Sequence, residues 1–176
     1  LPDSSLVATP VGFVRRVVCA SPGYLDRFGT PRSLNELASH RCVTFDGLDA
    51  ASIWTFVSAD DVRRQVPVHT RMTVSTADAA IAAAALGLGL TRVLSYQVAD
   101  ALRDGQLVRV LAADEPPPVP VNLIYPGQGR LPMKSRAFID VAAGQLRERL
   151  QGLVEAGSAP PSPARRQPRG DRPKRS

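Results

Sequence analysis

The sequence predicts an α/β fold in which strands and helices alternate along one chain of domain size. Three observations carry that prediction. Short apolar, β-branched runs recur between turn-forming clusters, and helix-like stretches with capping residues stand between them. An Ala-rich stretch from Ala77 to Leu86 separates two of the extended runs, an order that layers helices on a sheet. The 176 residues are 44% apolar and 22% charged, a globular composition at a size that can bury a core.

Val14 to Ala20 reads as the first strand, closed by Ser21-Pro22-Gly23, with a short helix over Tyr24 to Phe28. Ser33-Leu34-Asn35-Glu36 has the spacing of a capping box, Ser33 as N-cap and Glu36 reaching back, so a helix to about Ser39 is expected. Arg41 to Phe45 is the next strand. Ile53 to Phe56 and Val66 to Val74 are extended, and the polar Ser58 to Asp61 turns between them as a hairpin. The second run sets Val66, Val68, Met72 and Val74 against His69, Arg71 and Thr73 with a period of two.

Ser75 or Thr76 caps the Ala-rich helix, and Gly87 ends it in a left-handed conformation. Leu88 to Leu94 is a buried strand. Ser95 caps a helix to Arg103 closed by Gly105, and Leu107 to Leu111 is extended. Pro116, Pro117 and Pro118 exclude helix and central strand, because they lack donors and fix φ. Val119 to Tyr125 resumes as a strand. A last helix from about Lys134 to Leu153 carries an apolar stripe of Phe138, Ala142, Leu146, Leu150 and Leu153. After Ala156 the Pro, Ser and Arg content supports no core and predicts disorder.

Charge and residue chemistry narrow the function. The net charge is +6, but residues 157–176 carry +5 of it, which leaves the body at +1. The tail's cations suit phosphates in a sequence-blind way, yet no aromatic or recognition element accompanies them, so a solvated end is the expected role. No apolar run approaches the roughly 18 residues of a membrane span. The N-terminus LPDSSLVATP lacks an initiator Met and a signal-peptide pattern, and reads as cut from a longer chain. Cys19 and Cys42 sit in strand-like apolar runs, as reduced core thiols of a cytoplasmic protein do. His40 and His69 have no metal-ligand spacing around them, no serine stands in a nucleophile elbow, and Asp60-Asp61 and Asp114-Glu115 are turn acids. An enzyme is not expected, nor a cofactor or metal. Gly87-Leu88-Gly89 follows a helix and precedes a strand, the reverse of a phosphate loop.

The stretch ADAAIAAAALGLGLTRVL followed by SYQVADALRDGQLVRVL, at Ala77 to Leu111, resembles the effector-binding domain of LysR-type transcriptional regulators. RRVVCASPGYLDRFGTPRSLNELASHRCVTF resembles its first crossover strand and the elements after it. PPPVPVNLIYPGQGRLPMKSRAFIDVAAGQLRERL resembles the return strand and terminal helix, and LPDSSLVATPVG the segment before the crossover. The resemblance spans about Leu1 to Leu150. It implies a type II periplasmic-binding-protein-like fold of two α/β subdomains. Residues 1–19 and 118–150 would be a partial subdomain I with the crossover strands, 20–117 a nearly complete subdomain II, and 151–176 a disordered basic tail. The family's N-terminal winged helix-turn-helix and the first elements of subdomain I have no counterpart here.

The expected ligand is a small organic effector, aromatic or carboxylate, in the cleft between subdomains. From the residues alone, Ser75-Thr76 at a helix N-terminus offers hydroxyls, unpaired N–H groups and a positive dipole end, but plain capping is the favoured explanation, since most caps bind nothing and Asp78 already answers the dipole. The resemblance places that position on the cleft, and Thr91 and Tyr125 are further cleft candidates on the same ground. Arg15 and Arg16 point to opposite faces of one strand. Ser21-Pro22-Gly23 and Pro116-Pro117-Pro118 stand where hinges of the crossover would be, or are ordinary loops. Promoter DNA and a homo-oligomer are expected partners only through the absent N-terminal regions, and no membrane partner is expected. The alternatives are a solute-binding module and an inactive truncation product.

Overall fold

The computed structural model describes residues 6–45, 52–57, 62–126 and 132–158. In chain order the strands are β1 (Leu6–Val14), β2 (Arg16–Ala20), β3 (Arg41–Phe45), β4 (Ile53–Val57), β5 (Arg63–Pro67), β6 (His69–Val74), β7 (Leu90–Leu94), β8 (Val108–Val110) and β9 (Val119–Pro126). The α-helices are α1 (Pro22–Phe28), α2 (Ala77–Ala85), α3 (Ser95–Arg103) and α4 (Met133–Ser158), with short 3-10 turns at Leu34–Ser39 and Ala112–Asp114.

Five strands form the main sheet in the order β6-β3-β7-β2-β8. β6, β3 and β7 run parallel, while β2 is antiparallel to β7 and β8. The inner strands β2 and β7 are buried on both faces, which is why they read as near-continuous apolar runs. Their alternation splits the core. Val17, Cys19 and Val93 face Ala77 and Ala84 of α2 and Val98 of α3. Val18, Ala20 and Leu90 face Tyr24 of α1, Leu37, and Trp54, Phe56 and Val66 of the β4–β5 hairpin. Helices on one side and mixed elements on the other make three layers around the sheet. Gly87, at φ 81°, ends α2 as expected. Two residues later Gly89 lies so close to β3 that a Cβ there would stand 2.3 Å from the carbonyl oxygen of Arg41.

β1 and β9 form a separate antiparallel ribbon, Val14 opposite Val119 and Val7 opposite Tyr125. α4 packs on β1 and also on α3. At Gly12 a Cβ would stand 2.8 Å from a Leu150 methyl carbon, so the missing side chain lets the helix approach. Leu6, Phe13 and Ile124 of the ribbon are 63%, 55% and 62% exposed.

Several expectations need correction. The extended segment at the N-terminus begins at Leu6 and is broken at Arg15, because β1 and β2 join different sheets. Ser21-Pro22-Gly23 is the capped start of α1, Ser21 Oγ accepting from Tyr24 N–H at 3.3 Å, and not a separate loop. Leu34–Ser39 is a 3-10 turn. Glu36 reaches past Ser33 to the Arg32 N–H, and the Ser33 hydroxyl donates to Glu36 instead of capping. Val66 to Val74 divides after Pro67, which lacks a donor and ends the hairpin strand. Val68 then bonds back to Ser52, and the second half becomes an edge of the main sheet, leaving Met72 41% exposed. Ser95 is the first residue of α3 and not its cap, since Gln97 Oε1 accepts the Leu94 N–H at 2.9 Å.

The stripe expected on α4 is followed only in part. Phe138 is 72% exposed and Leu146 is exposed, whereas Ala142 and Leu150 are half-buried, Leu150 meeting Gly12, and Ala143 beside them is buried; the Leu153 side chain lies outside those described. α4 runs to Ser158, past the point where disorder was expected. The rest of the tail from 159 and the turn at 58–61 lie outside the described residues.

Candidate functional site

Because β3, β6 and β7 are parallel, Phe45, Val74 and Leu94 end together along one margin of the sheet. β2 starts at the same margin, with Arg16 opposite Leu94. In open α/β sheets this carboxyl margin is where ligands bind. Ser75 and Thr76 leave β6 there and begin α2.

Thr76 is an extended N-cap whose Oγ1 accepts from the Ala79 N–H at 3.2 Å, while its carbonyl accepts from Ala80 at 3.2 Å. The N–H groups of Ala77 and Asp78 are left without an intrahelical acceptor, as in any first turn. Ser75 is exposed, and its hydroxyl makes no hydrogen bond among the described residues. First-turn N–H groups, a hydroxyl and the positive end of α2 thus lie together, the chemistry that suits an anion. Beside it Thr44 and Thr73 share a hydroxyl contact at 3.3 Å near the ends of β3 and β6.

The other two expected residues lie elsewhere. Thr91 is 0% exposed, paired across the sheet with Cys19 and Val43 on the α2 side, and its Oγ1 has no hydrogen-bond partner among the described residues. Tyr125 belongs to the ribbon, where its hydroxyl meets Thr9 Oγ1 at 3.3 Å. The structure therefore brings together Ser75 and Thr76, and separates Thr91 and Tyr125 from them.

Sequence reasoning missed three polar arrangements. Arg92 is only 3% exposed; it donates to the Thr55 carbonyl at 2.8 Å and lies 4.4 Å from the Phe56 ring centre. Arg109 grips the Glu115 carboxylate through Nε and Nη2. Ser95 and Arg15 exchange two hydrogen bonds at the sheet margin. Each joins segments distant in spacing or separated by an irregular connection, so no local pattern announces it.

The nucleophiles are muted. Burial pushes the Cys19 and Cys42 thiols up to about 12, so both are protonated at neutral pH. They are free and face opposite sides of the sheet. His40 is buried and held below its usual value by desolvation, partly countered by Glu36, and its Nδ1 meets the Tyr24 hydroxyl at 3.2 Å. Among the described residues no three His, Cys, Asp or Glu could hold a metal, and no helix is long and apolar enough to cross a membrane.

Comparison with known proteins gives this geometry a family. The family model for the LysR substrate binding domain matches residues 1–147. The uncharacterized HTH-type transcriptional regulator YhjC of Escherichia coli K12 is 32% identical over 85% of this chain and 50% of its own length. The HTH-type transcriptional regulator CrgA of Neisseria meningitidis is 28% identical over 86% of this chain and 50% of its own. The regulatory domain of AphB from Vibrio vulnificus superposes with a TM-score of 0.70 at 27% identity, over 82% of this chain and 71% of that domain. The chain thus spans about half the length of the curated relatives it matches. With a matching family model over most of its length and the type II periplasmic-binding-protein-like layering of its neighbours, the chain belongs to the LysR family of transcriptional regulators, as a substrate-binding domain.

Proposed function

We propose that this chain is the effector-sensing part of a cytoplasmic LysR-type regulator and that its ligand is a small organic carboxylate, bound where α2 begins. The observation that carries the reading is the exposed Ser75 hydroxyl beside the open N–H groups of Ala77 and Asp78, at the carboxyl margin of parallel strands. Thr76 contributes by fixing the first turn. Thr91, enclosed within the sheet, and Tyr125, engaged with Thr9, are given no direct role.

In the full-length regulator, binding would change the angle between the β1–β9 ribbon side and the five-stranded sheet and so alter how the oligomer engages promoter DNA. The exposed Leu6, Phe13 and Ile124 support a longer protein, because a two-stranded ribbon with such a face needs further structure against it. That role is regulatory and not catalytic, in keeping with protonated thiols and regulator relatives.

Thermal unfolding of the chain with a panel of aromatic and aliphatic carboxylates, benzoate first, tests the ligand class. A ligand at a hundred times its Kd adds about 2.7 kcal/mol to stability. Ser75→Ala with Thr76→Ala is expected to abolish the rise in Tm. No rise with any carboxylate, or an undiminished rise in the double variant, would refute the site. Failure of the full-length protein to bind promoter DNA in any effector state would refute the regulator reading.

A further inference from the structure

β1 and β2 lie in different sheets, yet only Arg15 separates them. A chain that changes sheets through one residue places both peptide planes of that residue at the crossing. Ser95 holds both. The Arg15 N–H donates to Ser95 Oγ at 3.1 Å, and the Arg15 carbonyl accepts from the Ser95 N–H at 2.8 Å. Ser95 is the first residue of α3, which packs on the five-stranded sheet through the buried Val98 and also on α4. Arg15 is therefore tied to the start of a helix that packs on that sheet.

The return crossing is held in a comparable way. Arg109 lies in β8, at the edge of the same sheet, and binds both oxygens of Glu115, whose side chain is 3% exposed. Between them the chain is folded back by Leu111 at φ 56° and by the Asp114 N–H donating to the Leu111 carbonyl at 3.0 Å. Past Glu115 come Pro116, Pro117 and Pro118, and then Val119, which pairs with Val14. Both anchored stretches thus give way to the ribbon at neighbouring points.

We propose that Ser95 is a hinge latch. Together with the Arg109–Glu115 pair it binds both crossing chains to the five-stranded sheet, so rotation of the ribbon turns on Val14 and on Pro116 to Pro118. Arg15 and the segment from Leu111 to Glu115 stay fixed. Rotation also requires α4, packed on both β1 and α3, to slide along α3. The use of such a rotation rests on the effector reading above, but the latch does not.

The test is residue-resolved amide hydrogen exchange of the whole chain with Ser95→Ala and Ser95→Thr. Alanine removes the acceptor of the Arg15 N–H and leaves the main-chain bond; threonine restores the hydroxyl. One such bond contributes roughly 0.5–1.5 kcal/mol, so up to about tenfold faster exchange at Arg15 is expected with alanine and near-native exchange with threonine. The β2–β7 ladder amides should be unchanged. Spin labels at Asp78→Cys and Asn122→Cys then read the angle, since the buried native thiols do not label. A broader distance distribution with alanine, and not with threonine, supports the latch. Unchanged exchange at Arg15, equal acceleration across the ladder, or an unaltered distribution would overturn it. No effector is added, so these outcomes are separate from any failure to bind carboxylates.

Discussion

The guanidinium of Arg92 lies 4.4 Å from the centre of the Phe56 ring, beneath the β4–β5 hairpin and almost wholly shielded from water. Its bond to the Thr55 carbonyl makes it the polar tie between that hairpin and the middle of the main sheet. A desolvated cation–π contact contributes about 2 kcal/mol and a charged hydrogen bond about 1.5–3 kcal/mol. Arg92→Met, which keeps much of the volume, should lower stability by about 2–4 kcal/mol on those figures. Arg92→Lys should recover less than half, because the ammonium lacks the planar fork. Urea unfolding midpoints check both, and a midpoint unchanged in Arg92→Met would show the tie to be dispensable.

The two thiols should be chemically silent in the folded protein. Cys19 and Cys42 have their pKa raised from 9.0 to about 12 by burial. A group whose folded value is raised contributes stability in full below its unfolded value and loses it as pH climbs toward the folded one, here between 9.0 and about 12. An aromatic disulfide reagent should modify neither thiol at neutral pH until denaturant is added. Stability should fall above 9.0, less steeply in Cys19→Ala with Cys42→Ala. Prompt modification of the folded chain would contradict the burial.

On the acid side His40 sets the opposite slope. Burial holds it below its usual 6.5, with Glu36 opposing, so the neutral ring is the form that fits. Stability is present above the unfolded value and is lost as pH falls through the folded one. Tyr24 and Arg41 face the ring and its neighbour, the Tyr24 hydroxyl also accepting the Arg41 N–H at 3.0 Å. His40→Gln, which can still meet that hydroxyl, should flatten the loss of stability below 6.5 relative to the native chain. Parallel stability–pH curves for the two proteins would remove His40 from the explanation.

Two glycines should respond differently to the same methyl group. At Gly89 the new Cβ would meet the Arg41 carbonyl at 2.3 Å, backbone that cannot step aside without opening β3 from β7. At Gly12 it would meet Leu150 at Cδ1, 2.8 Å away, which can turn, and at Cβ, 2.9 Å away, which moves only if α4 shifts. Overpacking typically costs about 1–3 kcal/mol and sometimes more, so Gly89→Ala belongs at or above the top of that range and Gly12→Ala within it. Calorimetric Tm values rank them, and equal losses would mean that α4 is as rigid as the sheet.

Much of the fold was legible because its signals are local. The Ala-rich α2 with a cap at Ser75 or Thr76, of which the structure takes Thr76, and its terminator at Gly87, β3 at Arg41–Phe45 and the apolar β7 each follow from neighbouring residues. The first half of the candidate site was legible for the same reason, since a helix N-terminus is written in two hydroxyl residues. Thr91 and Tyr125 were chosen from a family position, and a position does not tell which face of a strand a side chain takes once the neighbours are in place. The apolar pattern of α4 holds only in part because amphipathicity reports which residues prefer burial, whereas packing on β1 and α3 decides which are buried, so that Leu150 meets Gly12 and Phe138 stays exposed.

By itself the sequence determined the alternation of elements, the cap that begins α2, the prolines before β9 and the family resemblance, all properties carried by residues near one another in the chain. Only the tertiary structure decided that β1 and β2 part at Arg15, that Ser95 serves the crossing instead of its own helix, and that Arg109 holds Glu115. The physical reason is that a hydrogen bond or ion pair between separate elements depends on where the sheets set their ends, and that placement is a sum over the whole core.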